Sequence, residues 1–198
     1  MVTGTVAGIT SALGIPALAN WVAAATPADK QNDVKILNTA LYYEHQAIWA
    51  YSFAAGKLSS TSVGQAVLAV ALANQADHKQ YRDALAAAIS SLGGVPVRAE
   101  KSYDVSSYLK SGEGGLDSDV NIAKLALALE TDAAIAYTQE AAKLKTPALI
   151  TADASIGANE AAHATAIRAA FKALGVNLQV IPASFVSADT RSNWVLKV

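Results

Sequence analysis

The stretch Gly157-Ala158-Asn159-Glu160-Ala161-Ala162-His163 sets a carboxylate and an imidazole three residues apart inside an alanine-rich run. In a helix, residues at i and i+3 share a face with their Cβ atoms about 5–6 Å apart, so Glu160 and His163 can converge on one point. That is the spacing of a metal-ligand pair, and the chain has only three histidines with which to build one. A second stretch, Asn74-Gln75-Ala76-Asp77-His78, repeats the spacing with Gln75 where the first has a carboxylate. Glu44 and Glu130 stand alone within apolar runs of two further helical stretches. The chain therefore reads as two halves, each a lone glutamate followed by a Gln/Glu-x-x-His pair.

A chain of 198 residues is most simply one domain with a sizeable core. Hydrophobic residues make up 53 % and charged residues 16 %, and the surplus is alanine rather than aromatic. Alanine has the highest helix propensity and lets helices approach closely, which implies a tightly packed all-α protein. The net charge is −1 and no Lys/Arg cluster is present, which argues against nucleic acid as a partner. With no cysteine there is no disulfide, thiolate metal site or cysteine nucleophile, and either redox compartment is compatible.

Residues 1–28 carry no charged side chain, but Gly4, Gly8, Gly14 and Pro16 interrupt them, making a poor continuous membrane span. Small residues at Ala17-Leu18-Ala19 and Ala23-Ala24-Ala25 resemble an export cleavage site, yet the positive n-region of a signal is missing. A docking arm and a targeting remnant are both open readings. The first helix is expected from Thr26-Pro27 or a little later to about Ala55, with Leu37, Leu41, Glu44, Ile48 and Tyr51 on one face. Ser59-Ser60-Thr61-Ser62 caps a second helix that ends before Gly93-Gly94. Its inward face is expected to read Val67, Ala71, Gln75, His78, Arg82 and Leu85. Residues 95–117 form a long connection with one short helix expected within Tyr103 to Lys110. The third helix is expected from about Ser118 to Lys143, and the fourth from Thr146-Pro147 to Leu174, the short turn between them making antiparallel neighbours. Residues 176–198 lack helical period and read as an extended arm on the surface.

Buried carboxylates and imidazoles are costly without partners or a metal, so ligand-type residues on four apolar helix faces point to a metal site. A single glutamate would more often lie on a solvated face. Four helices each offering a ligand-type residue in this order are harder to assign that way. The stretches Leu41 to Ile48, Asn74 to Leu85, Leu125 to Tyr137 and Glu160 to His163 resemble the bacterial ferritin-like domain family over roughly residues 30–175. The resemblance implies a ferritin-like antiparallel four-helix bundle with its long crossover between helices two and three. It also implies iron or manganese, one or two ions, held by Glu44, His78, Glu130, Glu160 and His163. Gln75 stands where the family has a bridging glutamate, and is expected as a weak ligand or a neighbour of the ligands.

Four carboxylates would neutralise two divalent cations, whereas three leave uncompensated positive charge in a low-dielectric core. A dinuclear site with an exogenous bridge, a mononuclear site near Glu130, Glu160 and His163, and a degenerate site with Gln75 hydrogen-bonded to the glutamates all remain open. Asp77 precedes His78 by one residue and so points about 100° away, which argues against it as a ligand. His45 stands in the same relation to Glu44. Tyr51 and Tyr137 each lie seven residues after a glutamate on the same face, suiting either a hydrogen bond to a ligand and electron transfer or a plain core aromatic.

By this reading the chain is a metal-binding protein that activates oxygen or peroxide, in oxidoreductase chemistry or stress protection. The alternative is a non-enzymatic structural protein of the cell envelope with a degenerate site. The resemblance favours the bacterial periplasm or envelope, and the terminal arms suggest a homo-oligomer or larger assembly formed through them. Membrane association through residues 1–28 is a weaker expectation.

Overall fold

The computed structural model describes residues 25–198, and the expected docking or targeting role of residues 1–24 lies outside them. Thr26 opens α1 (Pro27–Ala55) with a capping box: its hydroxyl accepts from the Asp29 N–H at 3.2 Å, and the Asp29 carboxylate accepts in return from the Thr26 N–H. Pro27, lacking an N–H, sits where none is needed. Thr61 and Ser118 cap α2 (Ser62–Ser91) and α4 (Asp119–Ala141) in the same way, accepting from Gly64 and Asn121. Between them lies the short α3 (Ser106–Lys110). The last long helix, α5 (Pro147–Ala173), is followed by a single turn, α6 (Arg191–Trp194). The fold is all-α, as the sequence implied.

The turn leading into α5 is held by another helix. Asp33 of α1 is fully buried and accepts from the Lys145 and Thr146 N–H groups at 2.8 and 2.9 Å. It thereby satisfies backbone donors at the α4–α5 turn and ties the two helical hairpins together. At the opposite end, Asp119 of α4 accepts from the Ser59 N–H and hydroxyl just beyond α1. These two ties show that α1 and α4 run antiparallel. The segment between α2 and α4 must therefore travel the length of the bundle, which makes it a crossover. His45 contacts the Val97 carbonyl within that crossover at 3.2 Å, away from the site.

Two apolar clusters fill the ends of the bundle. Leu37, Leu41, Leu85, Ile89, Leu149 and Ile156 pack at one end, and Leu127, Ala164, Ile167, Phe171 and Trp194 at the other. Each fully buried aliphatic side chain contributes about 1.5–3 kcal/mol. The middle layer, between the clusters, is where the glutamates and histidines fall. Along α2 the buried stripe is Asn74, His78, Tyr81, Leu85 and Ala88, so the expected inward place of Arg82 is corrected. Arg82 is half-buried and pairs with Asp83, because a rotation of the helix brings Tyr81 inward instead.

The C-terminal stretch is mostly non-helical, but it does not lie loosely on the surface. Trp194 is buried in the second cluster and donates to the Phe185 carbonyl at 3.0 Å. Buried Arg168 reaches out of α5 to the carbonyls of Gln179 and Trp194. Arg191 forms a bidentate pair with Glu113 of the crossover at 2.7 and 2.9 Å. Among the described residues no helix is long and apolar enough to cross a membrane.

Asp153 is a weak point in this core. It is 1 % exposed, and neither carboxylate oxygen has a hydrogen-bond partner. Burial, assisted by the Glu140 charge, pushes its carboxyl up to about 8. The unfolded chain ionises near the ordinary value while the fold keeps the proton, so Asp153 lowers stability progressively as pH rises from about 4 to about 8. Asp153→Asn is isosteric and removes that ionisation. The expected outcome is a higher melting temperature than wild type at pH 8, with the gain shrinking towards pH 4. A gain independent of pH would refute the titration account.

Candidate metal centre

All four long helices contribute to one buried cluster. Glu44 comes from α1, His78 from α2, Glu130 from α4, and Glu160 with His163 from successive turns of α5. One ligand atom from each of His78, Glu130, Glu160 and His163 lies within 4.8 Å of all the others. His163 Nδ1 is 3.1 Å from Glu130 Oε2 and 3.3 Å from Glu160 Oε2. His78 Nε2 is 3.3 Å from Glu130 Oε1, while its Nδ1 lies 2.8 Å from Glu44 Oε2. Gly157 permits this closeness: a Cβ there would stand 3.0 Å from the Tyr137 Cβ, so a side chain would push α5 away from α4.

The two tyrosines cross over between the halves. Tyr51, on the helix of Glu44, donates to Glu130, and Tyr137, on the helix of Glu130, donates to Glu44. Burial and the facing carboxylate push both phenols well above their ordinary value, so each remains a neutral donor. Of the two roles the sequence left open, the hydrogen bond to a ligand-type carboxylate is the one the geometry provides.

Gln75 is not in the cluster. Its amide nitrogen donates to the Ile48 carbonyl at 2.9 Å and to Ser52 Oγ at 2.7 Å, and its oxygen accepts from Lys79 at 2.9 Å. An amide can satisfy a backbone carbonyl where a carboxylate cannot, which holds Gln75 against α1. The expected weak-ligand place, and the expected contact with the glutamates, are therefore corrected.

Four further residues complete the site. Asn74 donates to Tyr51 Oη at 3.0 Å and lies 3.4 Å from Glu130 Oε1. Asn159 donates to Tyr81 Oη and, at 3.3 Å, to Asp77. Both asparagines immediately precede the Gln/Glu-x-x-His pairs, so the repeated Asn-Gln/Glu-x-x-His was the signal that could have found them. Asp77 does point away from His78, but towards α5, where its Oδ2 lies 3.1 Å from His163 Nε2. A carboxylate on the outer nitrogen fixes the imidazole's tautomer and leaves Nδ1 facing the cluster. Asp77→Asn is expected to weaken divalent-metal affinity by about tenfold without unfolding the protein. Competition against a chromophoric chelator would measure it, and an unchanged affinity would remove Asp77 from the site.

The charges in the cluster are unevenly held. Burial pushes the Glu130 carboxyl up, but the His78 charge and hydrogen bonds from the histidines bring it well below the ordinary value. Burial and the neighbouring Glu130 charge raise Glu160 well above its own. For both histidines burial acts downward and the adjacent carboxylates prevail, raising them. Glu160 Oε1 is buried without a hydrogen-bond partner, 3.5 Å from His78 Nδ1. A buried oxygen without a partner costs about 1–3 kcal/mol, and more if charged, which a cation at that point would relieve. Mixed carboxylate and imidazole donors suit iron(II) and manganese(II), so the residues present fit such an ion.

A buried glutamate–histidine cluster in the middle layer of an antiparallel four-helix bundle with one long crossover defines the class of ferritin-like proteins. The chain belongs to the ferritin-like domain family, whose model matches residues 32–173. It is similar in fold to the crystal structure of a conserved hypothetical protein from Mycobacterium tuberculosis. The TM-score is 0.59 at 23 % identity, covering 79 % of this chain and 99 % of that one. No curated protein matches the sequence.

Proposed function

We propose that this chain is a non-haem metal protein that holds one iron(II) or manganese(II) ion at His78, Glu130, Glu160 and His163, with Glu44 hydrogen-bonded to His78. The gathering of one ligand atom from each of four buried side chains within 4.8 Å, with a Glu160 oxygen left without a hydrogen-bond partner, carries this reading. Three carboxylates suffice for one divalent ion but not for two, and Gln75 is engaged elsewhere. When bound, such an ion supplies activation of oxygen or peroxide. Tyr51 and Tyr137 would hold Glu130 and Glu44 in place, Asp77 would orient His163, and the apolar clusters above and below would exclude water. Glu160 would release its proton when the ion enters, so uptake would strengthen with rising pH. Placement in the bacterial cell envelope rests on family resemblance and homo-oligomer assembly on the terminal arms, and both are proposed with it.

The test is metal content per chain for wild type and for a Glu160→Ala, His163→Ala double variant. One equivalent of iron or manganese, lost in the variant, is the expected result. Two equivalents would replace the mononuclear centre with a dinuclear one. No metal after anaerobic reconstitution with either ion would overturn the proposal and favour a structural envelope protein with a degenerate site.

A further inference from the structure

Between α1 and α4, and flanked by Val67 and Val70 of α2 and Ile167 and Phe171 of α5, lies an apolar cavity of about 470 Å³. Alanines recur along its long walls: Ala47, Ala50 and Ala54 on α1, and Ala126, Ala133 and Ala136 on α4. With methyl groups where larger side chains would interlock, the two helices leave a slot between them. It follows α1 from Ala40 to Ala55, which is about 22 Å of helix. A slot of that length suits an extended hydrocarbon chain. Glu44, Tyr51, His78, Glu130 and Tyr137 form part of the wall near the middle, so the slot is continuous with the metal centre. Its lining includes Asp132, which is paired with Arg191, and Glu140, but among the described residues no lysine or arginine. An anionic headgroup would find no counter-charge there.

We propose that this slot binds a single uncharged, unbranched alkyl or acyl chain, laid along α1 so that its middle passes Glu44 and Glu130. The chain's place as the substrate of the centre rests on the metal proposal above, whereas its binding does not.

The experiment uses the full-length protein, metal-loaded and metal-free, with N-phenyl-1-naphthylamine as a fluorescent probe displaced by 1-alkanols from 1-octanol to 1-tetradecanol. One alkanol per chain is expected, with affinity rising about fourfold per methylene while the slot fills. Dodecanoate should bind at least tenfold more weakly than 1-dodecanol, because its carboxylate would lose water without meeting a free cation in the lining. Ala54→Phe and Ala136→Phe narrow the two ends of the slot at half-buried positions. The double variant should lose at least tenfold in 1-tetradecanol affinity while keeping the wild-type metal content. No saturable displacement by wild type, or undiminished binding in a folded double variant, would overturn the inference. Failure to bind with metal content intact would sink the slot and leave the centre standing, and binding without any metal uptake would do the reverse.

Discussion

Glu160→Gln is expected to reduce iron or manganese affinity at least a hundredfold while moving the melting temperature of the metal-free protein by no more than about 4 °C. The asymmetry follows from what Glu160 touches. Its Oε2 lies 3.3 Å from His163 Nδ1, and its Oε1, 3.5 Å from His78 Nδ1, has no hydrogen-bond partner. A glutamine of the same shape therefore forfeits little in the metal-free fold, but it replaces an anionic ligand with a neutral one. Glu130 is the contrasting case, surrounded by Tyr51, Asn74, His78 and His163. Glu130→Ala leaves several buried donors unpaired and should destabilise the fold as well as abolish binding. Chelator competition and thermal melting on the metal-free proteins separate the two outcomes. Wild-type metal affinity in Glu160→Gln would place the centre somewhere else.

Gly114→Ala should be among the most damaging single changes outside the cluster. Gly114 has φ of 111°, a conformation that side chains rarely adopt, costing about 1–3 kcal/mol. A Cβ there would also stand 2.2 Å from the Leu125 backbone nitrogen, and overpacking against backbone adds about 1–3 kcal/mol. The crossover would have to lift from α4, carrying Glu113 away from Arg191 and Lys197 and releasing the C-terminal segment. Gly112→Ala is the built-in control: its φ is 69°, but nothing lies within 4 Å of its added Cβ. Gly114→Ala is expected to lower the melting temperature by at least 5 °C and to speed amide exchange across Arg191–Trp194. Equal effects of the two variants would show that φ alone matters and that the close approach to Leu125 does not.

The starts of the long helices were legible because their signals are local. Thr26-Pro27 and Thr61 mark starts that need no knowledge of the rest of the chain. Glu44, His78, Glu130, Glu160 and His163 could be selected for a related reason: a polar group recurring on an apolar face is a one-dimensional pattern. Asp33 was invisible in that pattern, since its role is to accept from backbone groups more than a hundred residues away. Gln75 occupies the expected place in the sequence, but its rotamer was settled by the Ile48 carbonyl and Ser52 on another helix.

The sequence by itself determined an all-α bundle, the order of its helices and the residues able to bind a metal, because helical period, caps and ligand spacing are properties of short stretches. The tertiary structure alone decided that Tyr51 and Tyr137 cross between halves, that Asp77 serves His163 rather than His78, and that Trp194 closes one end of the core. It also decided that an alanine-walled slot opens between α1 and α4. These outcomes depend on the rotation and spacing of helices relative to one another. Ångström-scale differences in that packing change which side chains meet, and no short stretch of sequence encodes them.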